Sequence, residues 1–137
     1  MRYTTAMIGF GDLATLAQTR LADAQALLAA QRFDGAVYLC GYSIELALKA
    51  RICATLNWTG YPSTRAEFQQ YQSFRTHDLD VLLHLSGQAA TIRTHSLVDW
   101  STVAQWDPEV RYRTAGTTTA AEASAMTTAA TNLLEVL

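Results

Sequence analysis

Lysine is nearly missing from this chain. Lys49 is the single lysine among 137 residues, the ten basic residues are scattered, and the formal net charge is −2. Binding a phosphate backbone regardless of base sequence needs clustered Lys and Arg, so no basic groove is legible; only an arginine patch assembled by folding stays open. Long apolar runs are missing too. None reaches the roughly 18 residues that span a bilayer, which argues against a membrane protein. The opening Met1-Arg-Tyr-Thr-Thr-Ala-Met-Ile-Gly-Phe10 has no secretory core or cleavage site, so a cytoplasmic location is expected. Alternating strand patterns, internal repeats and long disordered tracts are absent. Gly9-Phe-Gly11 is not a phosphate loop, because it lacks a third glycine and a preceding strand. Cysteine occurs twice, at Cys40 and Cys53. Thirteen helical residues separate them by roughly 20 Å at 1.5 Å per residue. A disulfide within one continuous helix is therefore excluded, and both read as reduced, core-filling thiols rather than metal ligands or nucleophiles.

What is present is helical patterning. Half of the residues are apolar, enough for one core of ordinary size. Asp12 is placed to cap a first helix. Leu13, Leu16, Ala17, Leu21, Ala24, Leu27 and Leu28 then keep helical spacing to about Ala30. Gln31-Arg-Phe-Asp-Gly35 leaves a short turn before a second helix, so the two should form an antiparallel hairpin. The second helix carries two apolar stripes: Val37, Cys40, Ile44, Leu48 and Ile52 on one, and Leu39, Leu46, Cys53 and Leu56 on the other. A helix striped on two sides must be covered on two sides, which makes it central. It should stop near Asn57, before Trp58-Thr-Gly-Tyr-Pro62. Thr64-Arg-Ala-Glu67 and Thr119-Ala-Ala-Glu122 fit capping boxes, and Ser96-Leu-Val-Asp99 is a weaker relative. The first box is expected to open a short turn over 67–72. Thr76 or Asp78 is expected to cap a helix through Leu85, ended by Gly87. A last helix covers about 120–137, and 114–119 reads as a flexible connection. The expected fold is all-α: an up-and-down bundle of four main helices plus a short extra one, in a single domain over 1–137.

The run Glu45-Leu-Ala-Leu-Lys-Ala50, preceded by small residues, a Gly and Tyr42, resembles the signature helix of the HEPN family (higher eukaryotes and prokaryotes nucleotide-binding). The resemblance continues in Thr76-His77-Asp78-Leu79, which opens the next long helix in many members. It returns in Trp106-Asp-Pro-Glu-Val-Arg-Tyr112, found in a bacterial branch. The matches occur in the family's order and span most of the chain. The resemblance implies a HEPN-like bundle, a homodimer, and a toxin–antitoxin, defence or nucleotidyltransferase-linked setting with a cognate antitoxin or nucleotidyltransferase partner. Catalytic members are RNases that use Arg-x(4 to 6)-His, two copies meeting across a dimer. In that chemistry the His works as general acid or base and the Arg stabilises phosphate charge.

That motif is absent at all three histidines. The windows where the Arg belongs hold Gln70, Tyr71 and Gln72 before His77; His77, Asp78 and Leu79 before His84; and Gln88, Ala89 and Ala90 before His95. Arg75-Thr-His77 and Arg93-Thr-His95 are too close, and no His follows Arg111 or Arg113. The leading reading is therefore a non-catalytic interaction or regulatory protein with no cofactor. One rival is an RNase with a rearranged site built from Arg75, His77 and Arg111. A second is a nucleotide-binding module using Glu45, Lys49, Arg111 and Tyr112, with Arg111 toward phosphate and a tyrosine against the base. His77 reads either as a helix-start histidine bonded to backbone or as the lining of a polar pocket with Arg75, Asp78 and Arg111. His84 follows His77 by one stripe, but two histidines without a third ligand do not make a metal site. Glu45 and Lys49, four apart in the favourable order, read as a fixed ion pair. A charged pair on an apolar helix needs further partners; Arg111, Tyr38 and Tyr42 are the candidates. Trp100 and Trp106 read as core or interface residues, and Trp58 as an exposed contact.

Overall fold

The apolar stripes assemble as helices in a computed structural model that describes residues 8–69, 71–112 and 115–137, without the side chains of Arg65, Phe68, Ser73, Val110 and Arg111. Helix α1 runs over Phe10–Ala29 and α2 over Phe33–Leu56. Short helix α3 is Arg65–Phe68, followed by a 3₁₀ turn at Gln72–Phe74. Then come α4 (Leu79–Ser86), α5 (Ala89–His95), α6 (Leu97–Val103), a second 3₁₀ turn at Pro108–Tyr112, and α7 (Ala120–Val136). Among the described residues no helix is long and apolar enough to cross a membrane. The fold is all-α apart from one small feature that period-2 patterning does not signal. Two-residue strands β1 (Ile8–Gly9) and β2 (Gly60–Tyr61) pair antiparallel, Ile8 opposite Tyr61.

The α1–α2 hairpin is antiparallel, as its short turn predicts. The Phe10 N–H donates to the Thr59 carbonyl at 2.9 Å, joining the start of α1 to the end of α2. Midway, Ser43 Oγ donates to the Ala17 carbonyl at 2.6 Å. Gln31, with φ 61°, makes the left-handed turn between them. Helix α2 is central: Cys40, Ile44, Leu48, Ile52 and Cys53 have no exposed surface. α1, α4 and α7 pack around it. Leu13, Ala17, Leu21 and Ala24 of α1 and Ala123, Met126, Ala130 and Leu133 of α7 are buried as their spacing predicts. The second stripe of α2 frays at its end, where Leu56 is exposed.

Caps set most boundaries. Thr64 and Thr119 each form the full reciprocal capping box. The Asp78 carboxylate accepts from the Asp80 and Val81 N–H groups and starts α4, which Gly87 ends at φ 78°. Four expectations need correction. Asp12 does not cap α1; the strand pair holds Ile8 and Gly9 extended, so the helix begins at Phe10 with Gly9 as N-cap, and Asp12 falls in its first turn. Helicity after Thr64 occupies Arg65–Phe68, because the box starts the helix directly after its cap. The weak box at Ser96 does not form: Ser96 takes φ −136° and ψ 31° between α5 and α6, and its side chain makes no capping hydrogen bond. Finally, Trp58 is half-buried in an aromatic cluster, its ring centroid 5.0 Å from Phe74, 5.2 Å from Tyr71 and 6.3 Å from Tyr61.

The described part of the 114–119 connection is fastened to the start of α2. The Gly116 N–H donates to Asp34 Oδ2 at 2.6 Å and the Thr118 N–H to Oδ1 at 3.2 Å. Hydrogen bonds from the Thr118 side chain and the Gly116 N–H hold the Asp34 carboxyl below its ordinary range. A depressed folded pKa adds stability above the unfolded value and loses it as pH falls through the folded one. Wild type should therefore be more stable than Asp34→Asn at pH 6, with the difference shrinking once the pH drops below 3.8, the ordinary value. Denaturant midpoints across that range check it; a gap that widens in acid contradicts it.

Both cysteines are buried and unbonded to each other. Burial pushes both thiols above their ordinary range, and the Cys40 thiol also lies 3.5 Å from Thr127 Oγ1. A bulky thiol reagent should label neither residue in the native protein and both after unfolding, since the thiolate is the reactive form. Rapid native labelling of either would show that α2 is not covered as described.

Candidate functional site

A carboxylate on the most buried helix is the starting point. Glu45 is 2% exposed, among Ile44, Leu46 and Leu48. An isolated charge there is prohibitive, so it must be satisfied by donors. Lys49, one turn on, gives the first: Nζ donates to Oε2 at 3.0 Å. The second comes from 32 residues away. His77 Nδ1 lies 3.0 Å from both Oε1 and Oε2. Lys49 is itself covered, its Nζ standing 5.2 Å from the centre of the Tyr61 ring. Tyr61 is pinned by its hydroxyl, which donates to the Phe74 carbonyl at 2.8 Å. Burial raises the Tyr61 phenol far above its ordinary range, so it stays a neutral wall of the site.

The His77 ring is oriented by the loop that starts α4. The Asp78 N–H donates to Thr76 Oγ1 at 3.0 Å while the Asp78 carboxylate caps the helix. Those bonds hold the Thr-His-Asp tripeptide in a set shape. A carboxylate already engaged by an ammonium is an acceptor, so Nδ1 carries the proton facing it. In the neutral ring Nε2 then holds the lone pair on the opposite edge. The imidazole is 64% exposed, so that edge is accessible.

His77 and Asp78 line a cleft of about 290 Å³, with Gln105, Trp106, Asp107 and Pro108 on the other side. Asp107 is exposed and accepts from the Glu109 N–H at 2.7 Å. Trp106 is 7% exposed. Its ring lies on Gly41 so closely that a Cβ at position 41 would stand 2.1 Å from Cδ2. Tyr38 flanks it at 6.1 Å between centroids and stacks in turn with Tyr42 at 6.5 Å. The indole N–H is buried and has no hydrogen-bond partner among the described residues.

Of the residues singled out in the sequence, Lys49 and His77 both contact Glu45, and Asp78 lines the cleft beside His77. Arg75 is exposed and Tyr112 is 70% exposed. The expected Arg111 partnership with Glu45 lies outside the described side chains. Glu45 takes its hydrogen bonds from Lys49 and His77 rather than from Tyr38 or Tyr42. His84 and His95 are exposed elsewhere, His84 Nε2 lying 3.5 Å from Arg93. Among the described residues no group of three or more His, Cys, Asp or Glu side chains is placed to hold a metal ion. Trp106 was read from the sequence only as core or interface; the one signal for its place in the cleft wall was Gly41, a glycine inside a long helix. In comparisons with known proteins, no family model, curated protein or solved structure matches the chain.

Proposed function

We propose that this chain is a HEPN-like interaction or regulatory protein that pairs as a homodimer and does not cleave RNA by the family's Arg–His chemistry. The setting of His77 carries this reading. Its Nδ1 is tied to a buried glutamate, and its open edge faces a cleft flanked by Asp78 and Asp107. A phosphodiester entering there meets two carboxylates, whereas phosphoryl chemistry needs cations aimed at the transferring group. The same argument weighs against the rearranged RNase site of Arg75, His77 and Arg111. The nucleotide-binding reading is weakened differently. Glu45 and Lys49 satisfy each other, with side chains 3% and 16% exposed, and offer little to a ligand.

Pairing is supported by the family resemblance and by α6, where Leu97 and Val98 are 55% and 81% exposed beside a groove shared with α7. The tryptophans, expected to help form such an interface, are used inside the fold. A cytoplasmic setting with a cognate antitoxin or nucleotidyltransferase belongs to the same proposal.

Single-stranded RNA should remain intact with purified wild type, and light scattering should give twice the monomer mass. The RNA assay compares wild type with His77→Ala and Arg111→Ala prepared in parallel. Cleavage present in wild type and lost in both variants overturns the non-nucleolytic reading. Equal cleavage in all three marks contamination. A monomer mass across a wide concentration range removes the dimer.

A further inference from the structure

We propose that the pocket between the start of α1 and the ends of α2 and α7 binds a small monocarboxylate, its apolar body inside and its carboxylate on Arg51. None of the residues lining this pocket belongs to the cleft beside His77. The walls are apolar: Phe10 and Ala14 from α1, Ala47 and Ala54 from α2, and Leu134 and Leu137 at the end of α7. The alanines leave space that larger side chains would fill. Arg51 is the single charged side chain in the lining, and no Asp or Glu side chain accompanies it.

The state of that arginine points to an anion. Arg51 is half-buried, and its Nε is buried with no hydrogen-bond partner among the described residues. An arginine that only covers apolar surface with its stem keeps its head in water. Here part of the head is withdrawn from water and no acceptor replaces it. Lys49, two residues earlier, shows the contrast: that cation is given Glu45 at 3.0 Å. The ion pairs of the described residues are Arg20–Asp23, Lys49–Glu45, His77–Glu45 and Arg93–Asp80, and Arg51 enters none of them. A guanidinium is a planar fork of donors that matches a carboxylate through two parallel hydrogen bonds. An inorganic anion would leave the apolar walls unused, and a hydrocarbon would leave the guanidinium unpaired. A monocarboxylate with a compact apolar body uses both. The pocket holds about 150 Å³. A cavity of about that size accommodates a benzene ring, which limits the body to roughly six carbons.

The test is titration of the full, isotope-labelled chain with benzoate, followed by NMR. Amide shifts should saturate with a Kd of about 1 mM or tighter and cluster on the ends of α2 and α7. Benzamide has the same shape without the charge, and acetate the same charge without the ring; each should bind about 10-fold more weakly or worse. Arg51→Gln should weaken benzoate about 10-fold or more, to the level of benzamide. Ala54→Leu, at an exposed helix position, fills the pocket while keeping the charge and should lose binding as well. His77→Gln should bind benzoate as wild type does. Circular dichroism establishes that each variant is folded. If Arg51→Gln does not fold, Ala54→Leu and the benzamide comparison decide. No saturable shift with benzoate, equal affinity for benzamide or acetate, or a folded Arg51→Gln or Ala54→Leu that binds benzoate as wild type does each overturns the proposal.

Discussion

Replacing Glu45 with alanine should lower the unfolding free energy by about 3–5 kcal/mol, the range seen when one member of a buried charge pair is removed. Lys49 is then left 16% exposed with its ammonium unpaired over the Tyr61 ring, and His77 loses the acceptor that holds the loop before α4. Two elements far apart in sequence come loose at once. Glu122→Ala is the matched control. It removes one half of the Thr119 capping box on an exposed helix start, and losses of that kind run to about 1 kcal/mol. Denaturant midpoints of the two variants decide the matter. Equal small losses would show that the α2 carboxylate contributes no more than a surface charge.

Gly41→Ala is the second large effect expected, and its sign runs against helix propensity. An interior alanine is favoured over glycine by about 1 kcal/mol. Here the added methyl would stand 2.1 to 2.2 Å from three atoms of the Trp106 indole. The rigid ring is itself buried and flanked by Tyr38, so it cannot give by a few tenths of an ångström. Overpacking of this kind costs about 1–3 kcal/mol, with the upper end expected for a rigid ring. Combining Gly41→Ala with Trp106→Leu should recover part of the loss, since residues in contact are not additive. A Gly41→Ala protein as stable as wild type would mean that Trp106 does not lie on α2.

The helices were largely legible because their causes are local. Two apolar stripes on α2 demand cover from two sides, and the structure provides it from α1, α4 and α7. Thr64, Asp78 and Thr119 cap where they stand because each side chain reaches N–H groups two or three residues on, within its own turn. Gly87 ends α4 because it takes the left-handed conformation that a side chain resists. Errors arose where a distant segment overrides the local signal. Asp12 has capping chemistry, yet pairing of Ile8–Gly9 with Gly60–Tyr61 moves the helix start ahead of it. Trp58 sits among turn residues, yet Tyr61, Tyr71 and Phe74 close around it.

The candidate site divides in the same way. That Glu45 sits on an apolar helix, that Lys49 is four residues on, and that such a pair requires further donors all follow from order along the chain and the 3.6-residue turn. Which donor arrives does not. His77 reaches Glu45 across 32 residues, and Trp106 reaches Gly41 across a longer stretch still. Those meetings depend on the direction in which the chain leaves α2, the angle at which α4 is capped, and the packing of the segment after α6. Periodicity describes one helix at a time and carries no information about such angles. The sequence by itself therefore determined an all-α chain built around α2 with a charged residue in need of partners. Only tertiary packing decided that the partner is a histidine with one edge held and the other open to a cleft.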